Sequence, residues 1–318
     1  MPAKPVTLES YYVQASAGMN TTAFTDGCAQ GLRAEDAAVS NGTTAFTSAF
    51  LDFGAQTGNG TETLTPRGQN ATLTSGDIHL VAEEFADGFA LCADELEIIP
   101  IQTAYLQLFL GTNTSGATPT AAYGQTWGNS IVAPVETYAT HNDGGWVSVA
   151  GASDIETEFS TPASAQAWVT GYGNSHGGLM LDYGDAGGCP PAGATCNNGW
   201  TQADVIQVAW GDTPSVPAPE IYSDANSPLN TGDVNAQQWA QLCSVSAGEP
   251  ASLNSFGAIQ FWGPLDQFPL DSSDADGLGN TATQSWTDLW NDLNGPSGTA
   301  ACHQTPTRSL EQNTFPAS

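Results

Sequence analysis

The sequence predicts an α/β fold: a (β/α)8 TIM-like barrel in a single domain, with loops tied by disulfides. Three observations lead there. Apolar runs of strand length alternate with amphipathic helical stretches, and strand–helix alternation predicts a parallel sheet. The runs number about eight, which suits closure into a barrel, with a doubly wound open sheet as the other arrangement. The chain has 318 residues and a 40% hydrophobic content, enough for one barrel with a sizeable core.

In chain order, a weak strand candidate lies at Met19–Thr25, inside an N-terminal segment taken as residues 1–44. Ala45–Phe53 is a clear strand that ends at Gly54. Asp77–Cys92 sets Ile78, Val81, Phe85, Phe89 and Cys92 at three- and four-residue spacing, one apolar stripe of a helix, with Asp77 as a candidate N-cap. The apolar run Ile98–Leu110 follows, and then a helical stretch at Ala121–His141. Trp146–Ala150 is the next strand. Thr161 caps a helix over Pro162–Tyr172, where Pro162 suits a first turn. Leu179–Tyr183, Val205–Trp210, Ala218–Tyr222 and Phe256–Trp262 have strand length. Helical periodicity returns at Asn235–Val245 and Thr283–Leu293, and 294–318 is left as a tail packed on the body.

The charge balance is lopsided, with 33 acidic residues against 4 basic ones and a formal net charge of −29. Charged residues make up only 12% of the chain, about half the usual share, so lysine and arginine are what is missing. Four cations cannot build a phosphate-binding stripe, which argues against nucleic acid, and the same field disfavours anionic membrane surfaces. No run of 18 apolar residues occurs, and the start Met1-Pro2-Ala3-Lys4-Pro5 lacks a signal-peptide core; we expect a mature secreted form with a new initiator Met. Asn20, Asn41, Asn59, Asn70 and Asn113 head glycosylation sequons, read as chance in a Thr-rich chain.

The cysteines are Cys28, Cys92, Cys189, Cys196, Cys243 and Cys302. Their even number, without zinc spacing, predicts disulfides in an oxidising compartment. Cys189 and Cys196 flank a short loop and are expected to pair. The other four leave the connectivity open, with Cys28–Cys92 and Cys243–Cys302 as the neighbour arrangement.

Several runs end in a polar or aromatic residue followed by glycine: Asp52-Phe53-Gly54, Asp182-Tyr183-Gly184, Trp210-Gly211 and Trp262-Gly263. The segments Phe50-Leu51-Asp52-Phe53-Gly54, Val149-Ala150-Gly151-Ala152-Ser153-Asp154-Ile155-Glu156, Asp182-Tyr183-Gly184, Val208-Ala209-Trp210-Gly211 and Pro219-Glu220-Ile221-Tyr222, in that order, resemble the glycoside-hydrolase-like TIM-barrel proteins secreted by bacteria. The likeness runs from about residue 45 to 293. It implies a barrel and sugar chemistry.

Candidate chemistry lies at the strand ends, the face where barrel active sites are built. Asp52, Asp154, Glu156, Asp182 and Glu220 all fall there. Glycoside cleavage needs two carboxyls, and Glu156 with Glu220, from different strands, is the preferred pair. Helix capping, acceptance of loop N–H bonds or binding of a cation is the competing role for these acids. Phe53, Tyr183, Trp210, Tyr222 and Trp262 lie at the same rim and are candidates to stack on sugar rings. Their competing role is an apolar cap.

Gly173-Asn174-Ser175-His176-Gly177 matches a nucleophile pentapeptide, but helix-like sequence precedes it and a strand follows, the reverse of a working elbow. His79, His141, His176 and His303 are scattered, so no transition-metal site is expected. Asp271–Asn280 loosely resembles a calcium loop but lacks its closing Glu, and reads better as solvated loop. No nucleotide or other cofactor fingerprint occurs. The expected function is secreted hydrolysis of a neutral or cationic polysaccharide. The alternatives are a barrel that binds carbohydrate or cell-wall polymer without cutting it, and a secreted serine esterase.

Overall fold

The computed structural model describes residues 2, 7–65, 71–93, 104–115, 119–175, 178–191, 193, 195–211, 215–221, 234–248, 258–266, 281–295, 299–306 and 309–314. The chain forms a mixed α/β fold around a mostly parallel sheet. Its strands are β1 (Thr7–Tyr12), β2 (Ala45–Thr57), β3 (Glu62–Leu64), β4 (Thr72–Leu73), β5 (Ala104–Asn113), β6 (Val147–Asp154), β7 (Met180–Asp182), β8 (Ser215–Pro217), β9 (Leu265–Asp266) and β10 (Ser309–Thr314). The order across the sheet is β8-β7-β6-β5-β2-β1-β10-β9, parallel at each step, and β3 and β4 form a small antiparallel flap on the end of β2. Just beyond β8, Glu220 makes an isolated parallel bridge to Leu265, with the Leu265 N–H donating to Pro219 O (2.9 Å) and the Ile221 N–H to Leu265 O (2.9 Å).

The helices are α1 (Met19–Asn41), α2 (Ser75–Ala93), α3 (Ala121–Thr126), α4 (Ala133–Asn142), α5 (Pro162–Ser175), α6 (Gln202–Ile206), α7 (Val234–Gly248) and α8 (Ala282–Asn294). Two apolar clusters follow from the two faces of the strands. Leu8, Phe50, Phe109, Ala150, Leu181 and Leu265 meet one another on one face. Their alternates, such as Ala49, Leu51, Leu108, Leu110, Val149 and Met180, join the buried helix faces on the other.

Helices α1 and α2 pack at backbone distance because small residues line the seam. A Cβ on Gly27 would stand 2.1 Å from Phe85 O, and one on Gly88 would stand 2.1 Å from Phe24 O. Cys28–Cys92 bonds the same pair of helices. Cys189–Cys196 and Cys243–Cys302 are also bonded, so all six cysteines pair as neighbours.

Several sequence expectations need correction. Val205–Trp210 is not a strand: it continues α6 into a π-helical turn, Gln207–Gly211. Thr201 and Asp204 form a capping box there, and this local start outweighs the strand-like Val-Ile-Gln-Val run. Met19–Thr25 opens α1, whose buried face is small: Ala23, Gly27, Gly31, Ala34 and Ala38. In the Phe256–Trp262 run the described residues, 258–262, are not strand, and β9 begins after Gly263-Pro264. The cap of α2 is Thr74, whose hydroxyl accepts from the Asp77 N–H (3.3 Å) while Asp77 Oδ2 accepts from the Thr74 N–H (2.9 Å). Residues 1–44 and 294–318 are more than terminal segments, because β1 and β10 pair side by side within the sheet.

Candidate functional site

The acids gather where the parallel strands end. Asp52 follows Phe50 by two positions in β2, so it shares the face of that inner residue. The register of β2 against β5 shifts between Asp52 and Ala55, and Gly54 takes a positive φ of 85°. This bulge lets the Gly54 N–H turn back and donate to Asp52 Oδ1 at 2.7 Å. Asp154 closes β6 on the face of Ala150 and Ala152, with Glu156 two residues on. Glu220 follows Ala218 on the inner face, held by its bridge to Leu265.

Asp154, Glu156 and Glu220 meet: one carboxylate oxygen from each lies within 4.8 Å of the other two. The preferred pair is therefore side by side, with Asp154 as a third member. Asp154 and Glu220 are 8% and 3% exposed, while Glu156 is half-buried. A second group shares Glu156 and adds Glu158 and Asp185, again within 4.8 Å. Its loop is well tied. The Thr157 hydroxyl donates to Gly187 O (2.9 Å), the Asn198 amide to Glu158 O (3.0 Å), and the Asn197 amide to Glu158 Oε1. Cys189–Cys196 closes the same loop.

Arg33 is the only lysine or arginine among the described residues, and it pairs with Glu9 at 2.8 Å. Arg33 is thus engaged away from Asp154, Glu156 and Asp185. Burial comes first in raising Asp154, Glu156, Asp185 and Asp52, and neighbouring carboxylates add to it for the first three. Asp154 is pushed well above the usual carboxylate range by burial and then by Glu156, Glu220 and Asp52. Glu156 is pushed up to about 8 by burial, Asp185 and Glu158. Asp185 reaches about 6 by burial and Glu158, against the Gly187 N–H. Burial takes Asp52 to about 6, held back by the Gly54 N–H and the Tyr183 hydroxyl.

Asp182 stays apart from this group. It alternates with Leu181 and Tyr183 of the inner cluster and so falls on the other face. It accepts from the Gly184 N–H (3.3 Å) and from the Ile155 backbone, tying the ends of β7 and β6, and burial takes it to about 7. The aromatic set also disperses. Phe53 is fully buried in the helix-side cluster. Tyr183 is fully buried in the inner one, its hydroxyl donating to Thr112 O at 2.9 Å. Neither offers a ring face to a ligand in this form. Trp210 sits in the π-helical turn against the helix-side cluster. Trp262 stands edge-on to Phe109, centroids 5.3 Å apart, and is half-exposed. Tyr222, His176, Gly177, Asn70 and the 271–280 loop lie outside the described residues. Ser175 is in the last turn of α5 and its hydroxyl donates to Tyr172 O (2.8 Å).

Sequence reasoning missed Glu158 and Asp185. Both carried a readable signal: Glu158 repeats the two-residue step from Glu156, and Asp185 follows the Asp182-Tyr183-Gly184 ending. No family model matches this chain, and no curated protein or solved structure matches it.

Proposed function

We propose that this protein is a secreted glycoside hydrolase acting on a neutral or cationic polysaccharide, on a (β/α)8 barrel. The barrel reading draws on Glu220 and Leu265, whose bridge links the segment after β8 to β9, the two ends of the strand order. The inner cluster then fills the barrel, and the acids lie at its C-terminal face. Three disulfides, with no described helix long and apolar enough to cross a membrane, suit an extracellular protein.

The observation that carries the function is the meeting of Glu156 and Glu220 from different strands, oxygens within 4.8 Å. Retaining glycosidases hold two carboxyls about 5–5.5 Å apart, one to protonate the leaving oxygen and one to attack the sugar. Glu156, raised by burial and by Asp185, keeps the proton the leaving group needs. Glu220 is the partner carboxyl. An anionic polymer is repelled by a net charge of −29.

The test is release of reducing ends from a polysaccharide panel by the purified protein. Glu220→Gln and Glu156→Gln are expected to keep the fold and lower turnover about 100-fold or more, Glu156→Gln with a shifted pH profile. Full activity of Glu220→Gln on a substrate cut by the wild type overturns the assignment. The second reading is a barrel that binds carbohydrate without cutting it. The 3% exposure of Glu220, which shields that carboxyl from a polymer, favours it over cutting. Saturable glycan binding with no released ends from any polymer would select it.

A further inference from the structure

The acid group is unusual in its composition as well as its crowding. Asp154 Oδ1 is buried and has no hydrogen-bond partner among the described residues, although its side chain is more than nine-tenths buried. A buried carboxylate oxygen without a donor is costly. The carboxylate stands with Glu156 and Glu220, three oxygens mutually within 4.8 Å. Asp52 Oδ2, on β2 with β5 between it and β6, is likewise buried with no hydrogen-bond partner among the described residues. Arg33, the one lysine or arginine among the described residues, is engaged with Glu9 and does not serve Asp154. What Asp154 lacks among the described residues is a partner for its Oδ1 oxygen, and a compact cation that gathers several oxygen ligands supplies one.

The geometry points to a binding site for a hard divalent cation of calcium's size at Asp154, Glu156 and Glu220. Calcium–oxygen bonds of 2.3–2.6 Å put oxygens on opposite sides of the ion roughly 4.6–5.2 Å apart, and closer when adjacent. Three oxygens within 4.8 Å of one another fit around such an ion. All three ligands are oxygens, the donor type calcium prefers, with no sulfur or imidazole among them. Asp154 and Glu220 come from strand ends, whose positions are fixed by the Asn113↔Asp154 pairing and the Glu220↔Leu265 bridge, so the site is held before the ion arrives. Glu156 is less buried and gives the ion its way in. Three carboxylates leave coordination positions for water.

One consequence rests on the hydrolase reading above. An ion held by Glu156 and Glu220 takes both carboxyls out of proton transfer and attack, so calcium lowers turnover.

The test uses the whole purified chain, freed of metal with a chelator and titrated with calcium chloride at fixed pH by calorimetry, with terbium luminescence as a second readout. Expected are a saturable site and a raised melting temperature with calcium. Asp154→Asn and Glu220→Gln are expected to weaken binding at least tenfold, while Asp143→Asn, before the start of β6 and so at the opposite end of that strand from Asp154, leaves it unchanged. A melting curve in chelator shows whether each variant folds. If Asp154→Asn unfolds, terbium binding to Glu156→Gln decides instead. Absence of any saturable heat or luminescence, or unchanged binding in folded Asp154→Asn and Glu220→Gln, overturns the site. Reducing-end release is assayed separately. Binding without turnover on any polymer sinks the hydrolase reading and keeps the cation site; turnover that calcium does not alter, with no binding, does the reverse.

Discussion

Gly184 lies against the backbone of Ile155: a Cβ there would stand 2.3 Å from the Ile155 carbonyl oxygen. This contact draws the end of β7 against the end of β6, where Asp154, Glu156 and Asp185 lie. Gly184→Ala has to push the two strand ends apart, since a backbone atom cannot move aside as a side chain can. Overpacking of this kind costs about 1–3 kcal/mol. The expected outcome is a lower melting temperature together with lost turnover and calcium binding. Gly88→Ala meets Phe24 O in the same way between α1 and α2. It is expected to cost similar stability while leaving both functional readouts intact.

Stability is expected to rise as pH falls from 8 to about 5. Asp182 is raised to about 7 and Asp52 to about 6, in both cases by burial first. In the unfolded chain both titrate near the ordinary Asp value, about 4. An acid with a raised folded pKa stabilises the fold fully when both states hold the proton. That contribution is lost as pH climbs from about 4 through the folded value. Melting temperatures across this range check the sign, and a steady fall from pH 7 to pH 5 contradicts it.

Asp143, after α4, offers a local version of the same effect. It is raised to about 7 by burial and by Asp87, and its Oδ2 is buried without a partner among the described residues. Asp143→Asn removes the charge that opposes Asp87. It is expected to raise the melting temperature at pH 8 and to change it little at pH 5.

The sequence made much of this legible, for identifiable reasons. The α2 stripe of Ile78, Val81, Phe85 and Phe89 is buried as its spacing predicts. Glu156 and Glu220 could be matched because both follow strand-like runs. The Val205–Trp210 error has a physical cause: β-branched residues signal strand composition, while Thr201 and Asp204 decide the conformation from outside the run. β10, Ser-Leu-Glu-Gln-Asn-Thr, has no strand composition, and yet its backbone pairs with β1 and β9. The rim aromatics could not be separated by sequence, because Phe53 and Asp52 are adjacent and a strand sends adjacent side chains to opposite faces.

Disulfide removal should separate the helices from the site. Cys28–Cys92 spans 64 residues and ties α1 to α2. Replacing both cysteines by serine is expected to cost about 2–4 kcal/mol, read as a lower denaturation midpoint, with calcium binding retained. Peptide mapping without reduction should recover Cys189 and Cys196 in one linked fragment, and a free thiol at either position contradicts that bond.

The place of β10 between β1 and β9 sets an order on synthesis. β1 leaves the ribosome well before β10, and its second neighbour emerges only with Ser309–Thr314. Until then one edge of β1 carries bare N–H and C=O groups that another chain can pair with. The nascent protein must therefore be kept from its neighbours from the emergence of β1 to that of β10, and truncation before Ser309 leaves both β1 and β9 with an open edge.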